Sequence, residues 1–267
     1  MNLQLADKRA LVSGSTAGIG YAIAKALLAE GATVTINGRT PAAVDAALAR
    51  LRATQPGAEV RGIAADLGTA AGCEALVRAT GDDAAVDILV NNLGIFDPQP
   101  FETIDDDAWQ RFFDINVMSG VRLTRALLHG MKARNWGRVI FVSSESGICP
   151  PAEMVHYGMT KSAQLSIARG LAENCAGTAV TVNSVLPGPT LTEGAKAFFD
   201  KLARERGSSF DETAREFFKH ARPTSILKRF VTPDEVAMMV AYLASPLASA
   251  TTGAALRVDG GVVRSIV

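Results

Sequence analysis

Ser13-Gly14-Ser15-Thr16-Ala17-Gly18-Ile19-Gly20 follows directly on the apolar run Arg9-Ala10-Leu11-Val12. Beyond it, Ile19, Ile23, Ala26 and Leu27 fall at spacings that share one helical face, where a strand would need strict alternation. The stretch therefore reads as strand, glycine-rich turn, helix. Such a turn points the free N–H groups of a helix N-terminus at whatever sits above the sheet. Those donors and the helix dipole favour an anion, with pyrophosphate the natural occupant. Gly14 lets the chain turn, Gly18 lets backbone approach a ligand, and Gly20 lets helix and strand pack closely. The spacing is GxxxGxG and differs from the common GxGxxG fingerprint. A plain tight turn would show the same glycines; the position between strand and helix is what favours the phosphate reading.

Outward from this turn, short β-branched runs alternate with longer stretches of helical periodicity. The strands read as Arg9 to Ser13, Thr33 to Asn37, Glu59 to Ile63, Val86 to Val90, Arg138 to Ser143, Val180 to Leu186 and Ala255 to Val258. This is the pattern of an α/β protein, a doubly wound parallel sheet of about seven strands with helices on both faces. Pro41 suits the first turn of the second helix. With 267 residues, 48% of them hydrophobic, the chain is expected to form one domain over residues 1–267. One stretch breaks the rhythm: a long, charged, helical insertion between Pro187 and Thr232, with residues 190–230 expected to act as a substrate lid.

Lys plus Arg and Asp plus Glu balance at 27 each, so no global charge draws the chain to nucleic acid or anionic membrane. The N-terminus has no secretory pattern and no apolar run approaches a membrane span, which leads to the expectation of a cytoplasmic protein. Cys73, Cys149 and Cys175 are widely spaced and form no ligand motif, so reduced thiols and no metal are expected.

Near the end of the second strand the sequence is Ile36-Asn37-Gly38-Arg39-Thr40. NAD-selective proteins place a carboxylate there for the ribose 2′-hydroxyl. None is present, and the Arg39 guanidinium matches a 2′-phosphate, so NADP(H) is expected over NAD(H). A solvated surface charge is the other reading of Arg39. Further on, Tyr157-Gly158-Met159-Thr160-Lys161 sets a phenol and an ammonium one above the other on a helix face. An unperturbed tyrosine, with a pKa of about 10, is a poor base near neutral pH, and a neighbouring cation favours the phenolate. Val142-Ser143-Ser144 ends the preceding strand and offers a hydroxyl for a substrate oxygen.

Gly14-xxx-Gly18-x-Gly20, Asn91-Asn92-Leu93-Gly94, Asn116, Ser144, Tyr157-xxx-Lys161 and Pro187-Gly188 together resemble the short-chain dehydrogenase/reductase superfamily, in order and approximate spacing, over nearly the whole chain. The resemblance implies one doubly wound domain with strand order 3-2-1-4-5-6-7. It implies that Tyr157 donates a proton to a carbonyl oxygen in reduction. Lys161 would lower the phenol pKa and bind the nicotinamide ribose, Ser144 would polarise the substrate oxygen, and Asn116 would hold a water that extends the proton relay through Lys161. The cofactor contacts it implies begin with Gly14, Ser15, Thr16, Gly18, Ile19 and Gly20 of the turn and with Arg39. Asp66 and Leu67 would lie at the adenine, Asn91 and Gly94 near strand four, Tyr157 and Lys161 at the ribose, and Pro187, Gly188 and Thr192 at the carboxamide. A homotetramer or homodimer is implied as well, with Ala255 to Val267 partly buried against a neighbour. Two positions depart from the family pattern: Leu93 stands for the usual alanine, and Ala17 stands where NADP-binding members often carry a basic residue.

The expected activity is hydride transfer between nicotinamide and a small-molecule ketone or secondary alcohol; the alternative is a catalytically silent dinucleotide-binding redox sensor. A sensor has no chemical reason to keep a proton relay. His156 is read as lying behind the site or at the surface, and Glu145 as touching substrate or facing solvent. Trp109 and Trp136 read as packing residues, and His129 and His220 as isolated. From Thr192 to Phe230 there are nine Lys/Arg against six Asp/Glu. That excess raises a 3-oxoacyl thioester as a candidate substrate, and a solvated helix face explains it equally.

Overall fold

Seven runs of the chain pair side by side: β1 (Arg9–Val12), β2 (Thr33–Gly38), β3 (Val60–Ala64), β4 (Ile88–Asn91), β5 (Gly137–Val142), β6 (Val180–Pro187) and β7 (Ala255–Val258). The computed structural model describes residues 2–81 and 86–266. Every pairing is parallel, in the order β3-β2-β1-β4-β5-β6-β7. Strand ends match the sequence reading to within two residues, the largest shift being the start of β4 at Ile88 where Val86 was expected.

Alternation along the strands feeds two cores, because successive side chains leave a strand on opposite faces. Val12, Val90, Ile140 and Val142 point to one face. There α1 (Gly18–Ala29), α2 (Pro41–Thr54) and α9 (Pro233–Ala244) cover them with Ile23, Leu27, Leu51 and Val240. Leu11, Leu89, Val139 and Phe141 point to the other, under α3 (Ala70–Ala79), α5 (Ser119–Ala133) and α6 (Val155–Asn174). Helix starts follow the local chemistry. Thr40 accepts from the Ala43 N–H ahead of Pro41, and Thr232 and Glu235 form a capping box at α9.

Chain order reverses between β1 and β4, so the connections leaving their C-terminal ends diverge and open a crevice at that edge. The glycine turn and Ser144 follow strands that end at this edge of the sheet, and Pro187 is the last residue of β6. The segment after β6 forms α7 (Glu193–Arg206) and α8 (Phe210–His220). It leaves and returns at one point, where Leu191 N–H donates to Val231 O at 2.9 Å and Val231 N–H to Pro189 O at 2.8 Å. Phe199 and Phe218 close on Phe230 as the segment's own core, while Phe198 stays half exposed.

Gly20 is the tightest point of the turn: a Cβ there would lie 2.4 Å from Asn92 Nδ2 and 2.5 Å from Gly14 O. Gly20→Ala is expected to cost about 1–3 kcal/mol through forced backbone displacement. A lowered urea midpoint checks this; an unchanged midpoint would contradict the packing described.

Candidate active site

Both neighbouring strands pin the glycine turn. Asn92 Nδ2 donates to Ser13 O at 3.0 Å and Gly14 O at 2.9 Å, while Ser13 Oγ accepts from the backbone N–H groups of Asn92 and Leu93, each at 3.0 Å. From β2, Asn37 Oδ1 accepts from Gly14 N–H at 3.3 Å. Gly14 and Gly18 take φ of +59° and +57°, a region that side chains other than glycine rarely enter. α1 starts at Gly18 with no side-chain cap and no acidic residue in its first turn, leaving its end electropositive. The Glu193 carboxylate accepts from Gly18 N–H at 2.9 Å, so the turn already aims a donor at an anion. Arg39 is exposed and makes no hydrogen bond or ion pair among the described residues. A capless helix start, donor-lined and glycine-tight, fits a dinucleotide pyrophosphate.

The other cofactor candidates divide. Ile19, Pro187, Gly188 and Thr192 line one cleft of about 800 Å³ with Ser144 and Tyr157. Thr192 also caps α7, and its methyl group lies 3.2 Å from the Cβ position of Gly18. Gly94 lies beside Lys161 Nζ and the Asn116 carboxamide. Thr16 packs its methyl on Gly38. Asp66 is exposed and accepts from Gly68 N–H at 3.0 Å. Ser15 and Leu67 are buried, Ser15 with its hydroxyl donating to Val12 O at 2.6 Å. Asn91 turns its side chain away from the turn to Thr124 Oγ1 at 3.0 Å, and Asn92, one residue on, does the bracing. Leu93 presses its side chain against Gly14.

Asn116 lies in a single π-helical turn, Asp114–Met118, between α4 (Asp106–Phe113) and α5. A π turn displaces carbonyls from the regular ladder and recurs at functional sites. Asn116 Oδ1 accepts from Ile95 N–H at 2.7 Å, and its Nδ2 donates to Ile95 O and Thr160 Oγ1, each at 3.0 Å. Its backbone carbonyl accepts from Gln164 Nε2 at 2.6 Å. Gln164 Oε1 in turn accepts from Lys161 Nζ at 3.3 Å, and Val142 O accepts from the same ammonium at 3.0 Å. Gln164 thus links the Asn116 carbonyl to the Lys161 ammonium. Sequence reading missed this residue, although it sits three places after Lys161 on the same helix face.

Burial brings the Lys161 ammonium down to about 8, with Glu145 pulling the other way. For Tyr157 the expected lowering by Lys161 is not what dominates. The Lys161 ammonium lies 5.5 Å over the centre of the phenol ring. Burial, then the Glu145 charge, push the phenol up; a Ser144 hydrogen bond and Arg222 pull it down. The protein's own groups therefore keep Tyr157 protonated at neutral pH.

Glu145 is buried, which removes the solvent-facing reading. Ser144 Oγ donates to its Oε2 at 2.5 Å, and Arg222 Nε lies 3.4 Å from its Oε1. Arg222, at the end of α8, also reaches Glu153 at 3.2 Å. The pairing spans 77 residues of sequence and left no local signal. His156 is wholly buried between Phe112 and Trp109, against the surface alternative, and burial lowers its basicity. His220 pairs with Glu216 at 3.0 Å. Among the described residues no cluster of His, Cys, Asp or Glu could hold a metal, and no helix is long and apolar enough to cross a membrane.

A family model described as enoyl-(acyl carrier protein) reductase matches residues 14–263. The uncharacterized oxidoreductase YvaG of Bacillus subtilis (strain 168) is 51% identical over 266 residues, 100% of both chains. The 3-oxoacyl-[acyl-carrier-protein] reductase FabG of Vibrio harveyi is 33% identical, over 98% of this chain and 99% of that one. The crystal structure of L-sorbose reductase from Gluconobacter frateurii, complexed with NADPH and L-sorbose, superposes with a TM-score of 0.93 at 30% identity over 100% of each chain. With the sheet order, the glycine turn and matches that span the chain, this protein belongs to the short-chain dehydrogenase/reductase family of NAD(P)-dependent oxidoreductases.

Proposed function

We propose that the chain is an NADP(H)-dependent reductase that moves a hydride between nicotinamide and a ketone or secondary alcohol, with Tyr157 as its acid/base. The observation that carries this reading is convergence: Ser144 and Tyr157 share one cleft wall, Lys161 lies beneath the phenol, and the glycine turn opens into the same crevice. When bound, the dinucleotide supplies or accepts the hydride. Ser144 and Tyr157 hold the carbonyl oxygen, and the phenol gives that oxygen its proton. Lys161, held by Val142 and Gln164, positions the ribose and returns a proton to the phenol. A redox sensor would have no use for a buried ammonium wired in this way.

α7 and α8 are proposed as a lid over the substrate end, hinged where Leu191 and Val231 meet. Family likeness supports a homodimer or homotetramer in the cytoplasm. The half-exposed edge strand β7 and the exposed Ile266 beyond it offer a surface for a neighbour. The reduced substrates named for two relatives, an oxoacyl carrier thioester and L-sorbose, have a ketone in common and little else.

Tyr157→Phe is expected to abolish most turnover and leave NADPH affinity nearly unchanged, because only the transferable proton is deleted. Steady-state rates with fluorescence titration of NADPH check this, and undiminished turnover would remove the proposed acid. Because Lys161 ionises at about 8, kcat/KM for carbonyl reduction is expected to fall as pH rises through that value, while Tyr157 stays protonated. A profile flat well into the alkaline range would contradict the ammonium's role. For cofactor choice, Arg39→Ala is expected to remove a charge-assisted contact of about 1.5–3 kcal/mol. The NADPH to NADH ratio of kcat/KM should then fall about ten-fold or more. Equal efficiency with both cofactors before mutation would refute the preference.

A further inference from the structure

The geometry points to Glu145, held in place by Arg222, as the acceptor for a hydroxyl next to the substrate carbonyl, which makes the preferred substrates polyhydroxylated, sugar-type ketones. This rests on the carbonyl-reductase reading of the site.

Three observations lead there. The first is distance. Glu145 Oε2 lies 2.5 Å from Ser144 Oγ, the hydroxyl that meets the carbonyl oxygen. When Ser144 turns its proton to a carbonyl, that carboxylate oxygen loses its donor in a buried place, where an unpaired charge is costly. A donor one hydrogen-bond length from the carbonyl oxygen restores it, and the hydroxyl of an α-hydroxy ketone sits at about that separation.

The second is charge. Glu145 and Glu153 share the single guanidinium of Arg222, which also donates to Ala221 O at 2.8 Å. Two carboxylates on one guanidinium leave acceptor capacity to spare, with Arg222 only 8% exposed. Such a wall accepts hydroxyl protons. Of the lid's basic residues, Lys196, Lys201 and Lys219 pair with acids on their own helices, at 2.6, 3.7 and 3.8 Å, and Arg229 pairs with Glu235 at 2.7 Å. Arg206 and Glu216, which also line the cleft, add one charge of each sign.

The third is shape. Phe96, Phe198, Phe217 and Phe230 line the same cleft as Glu145 and Glu153, with the Arg222 guanidinium 5.6 Å over the Phe217 ring and Phe96 edge-on to Tyr157. Carboxylates and ring faces in one cleft match a molecule that carries both hydroxyls and C–H groups, as a sugar does. A thioester chain would use the rings and leave Glu145 without a donor.

The test compares initial rates with NADPH on three substrates: a ketohexose, a deoxy ketone of the same chain length, and acetoacetyl-coenzyme A. For the unmutated protein, kcat/KM is expected to be about ten- to a hundred-fold higher for the ketohexose than for the deoxy ketone. Glu145→Gln should shrink that ratio about ten-fold or more, since the neutral amide accepts more weakly. The unmutated ratio stands as a test even if the variant does not fold. Equal or better use of the deoxy ketone or the thioester overturns this inference and leaves the reductase reading intact. Failure to reduce any carbonyl with NADPH or NADH overturns the reductase reading, and the inference with it.

Discussion

Asn116 uses its polar atoms in three directions, and the active site depends on all of them. Its carboxamide grips the backbone of Ile95 through both N–H and C=O and also reaches Thr160, joining the loop after β4 to α6. Its carbonyl, displaced by the π turn, holds Gln164 and through it Lys161. A regular helix through Asp114–Met118 would commit that carbonyl to its own ladder. Lys161 would then keep Val142 O and lose the Gln164 bridge to Asn116. Each bond contributes only about 1 kcal/mol net, but leaving any of these buried groups without a partner costs more. The fold thus fixes the ammonium's position through a network that is satisfied as a whole.

Around that fixed point the electrostatics compete. Burial works against the charge of Lys161 and in favour of the neutral phenol of Tyr157, and Glu145 reinforces the second effect while resisting the first. Glu145 therefore makes the neighbouring phenol a better holder of its proton and the amine a better holder of its charge. Both are the forms that proton donation to a carbonyl requires. Arg222 limits the cost of burying this carboxylate, and in doing so it fastens the end of α8 to the loop after β5.

Much of this was legible in the sequence, and the boundary has physical causes. Continuous apolar runs such as Leu11 to Val12 and Leu89 to Val90 marked the strands, because both faces of the sheet are covered and each residue meets a core on its own side. The glycine turn was legible because positive φ and close approach leave little choice of residue at Gly14 and Gly20. Asn91 and Asn92 show the limit: adjacent at a strand end, they face opposite ways, Asn91 to Thr124 and Asn92 to the glycine turn, a difference that the pair of identical residues does not display. Glu145 stood out by its place after Ser144, but it meets Arg222 only through the tertiary fold, so no local pattern announced the pairing. Burial of His156 likewise depends on Phe112 and Trp109 arriving from α4.

Hydride transfer to a carbonyl at the Tyr157 wall of the cleft can be followed by isotope tracing. With NADPH deuterated at the transferable C4 position and a reducible ketone, the alcohol is expected to carry deuterium at the carbinol carbon. In deuterated solvent with ordinary NADPH, that carbon should carry none. Ketone reduction in which the carbinol hydrogen comes from solvent, or dinucleotide binding with no label transferred to any ketone, would contradict it.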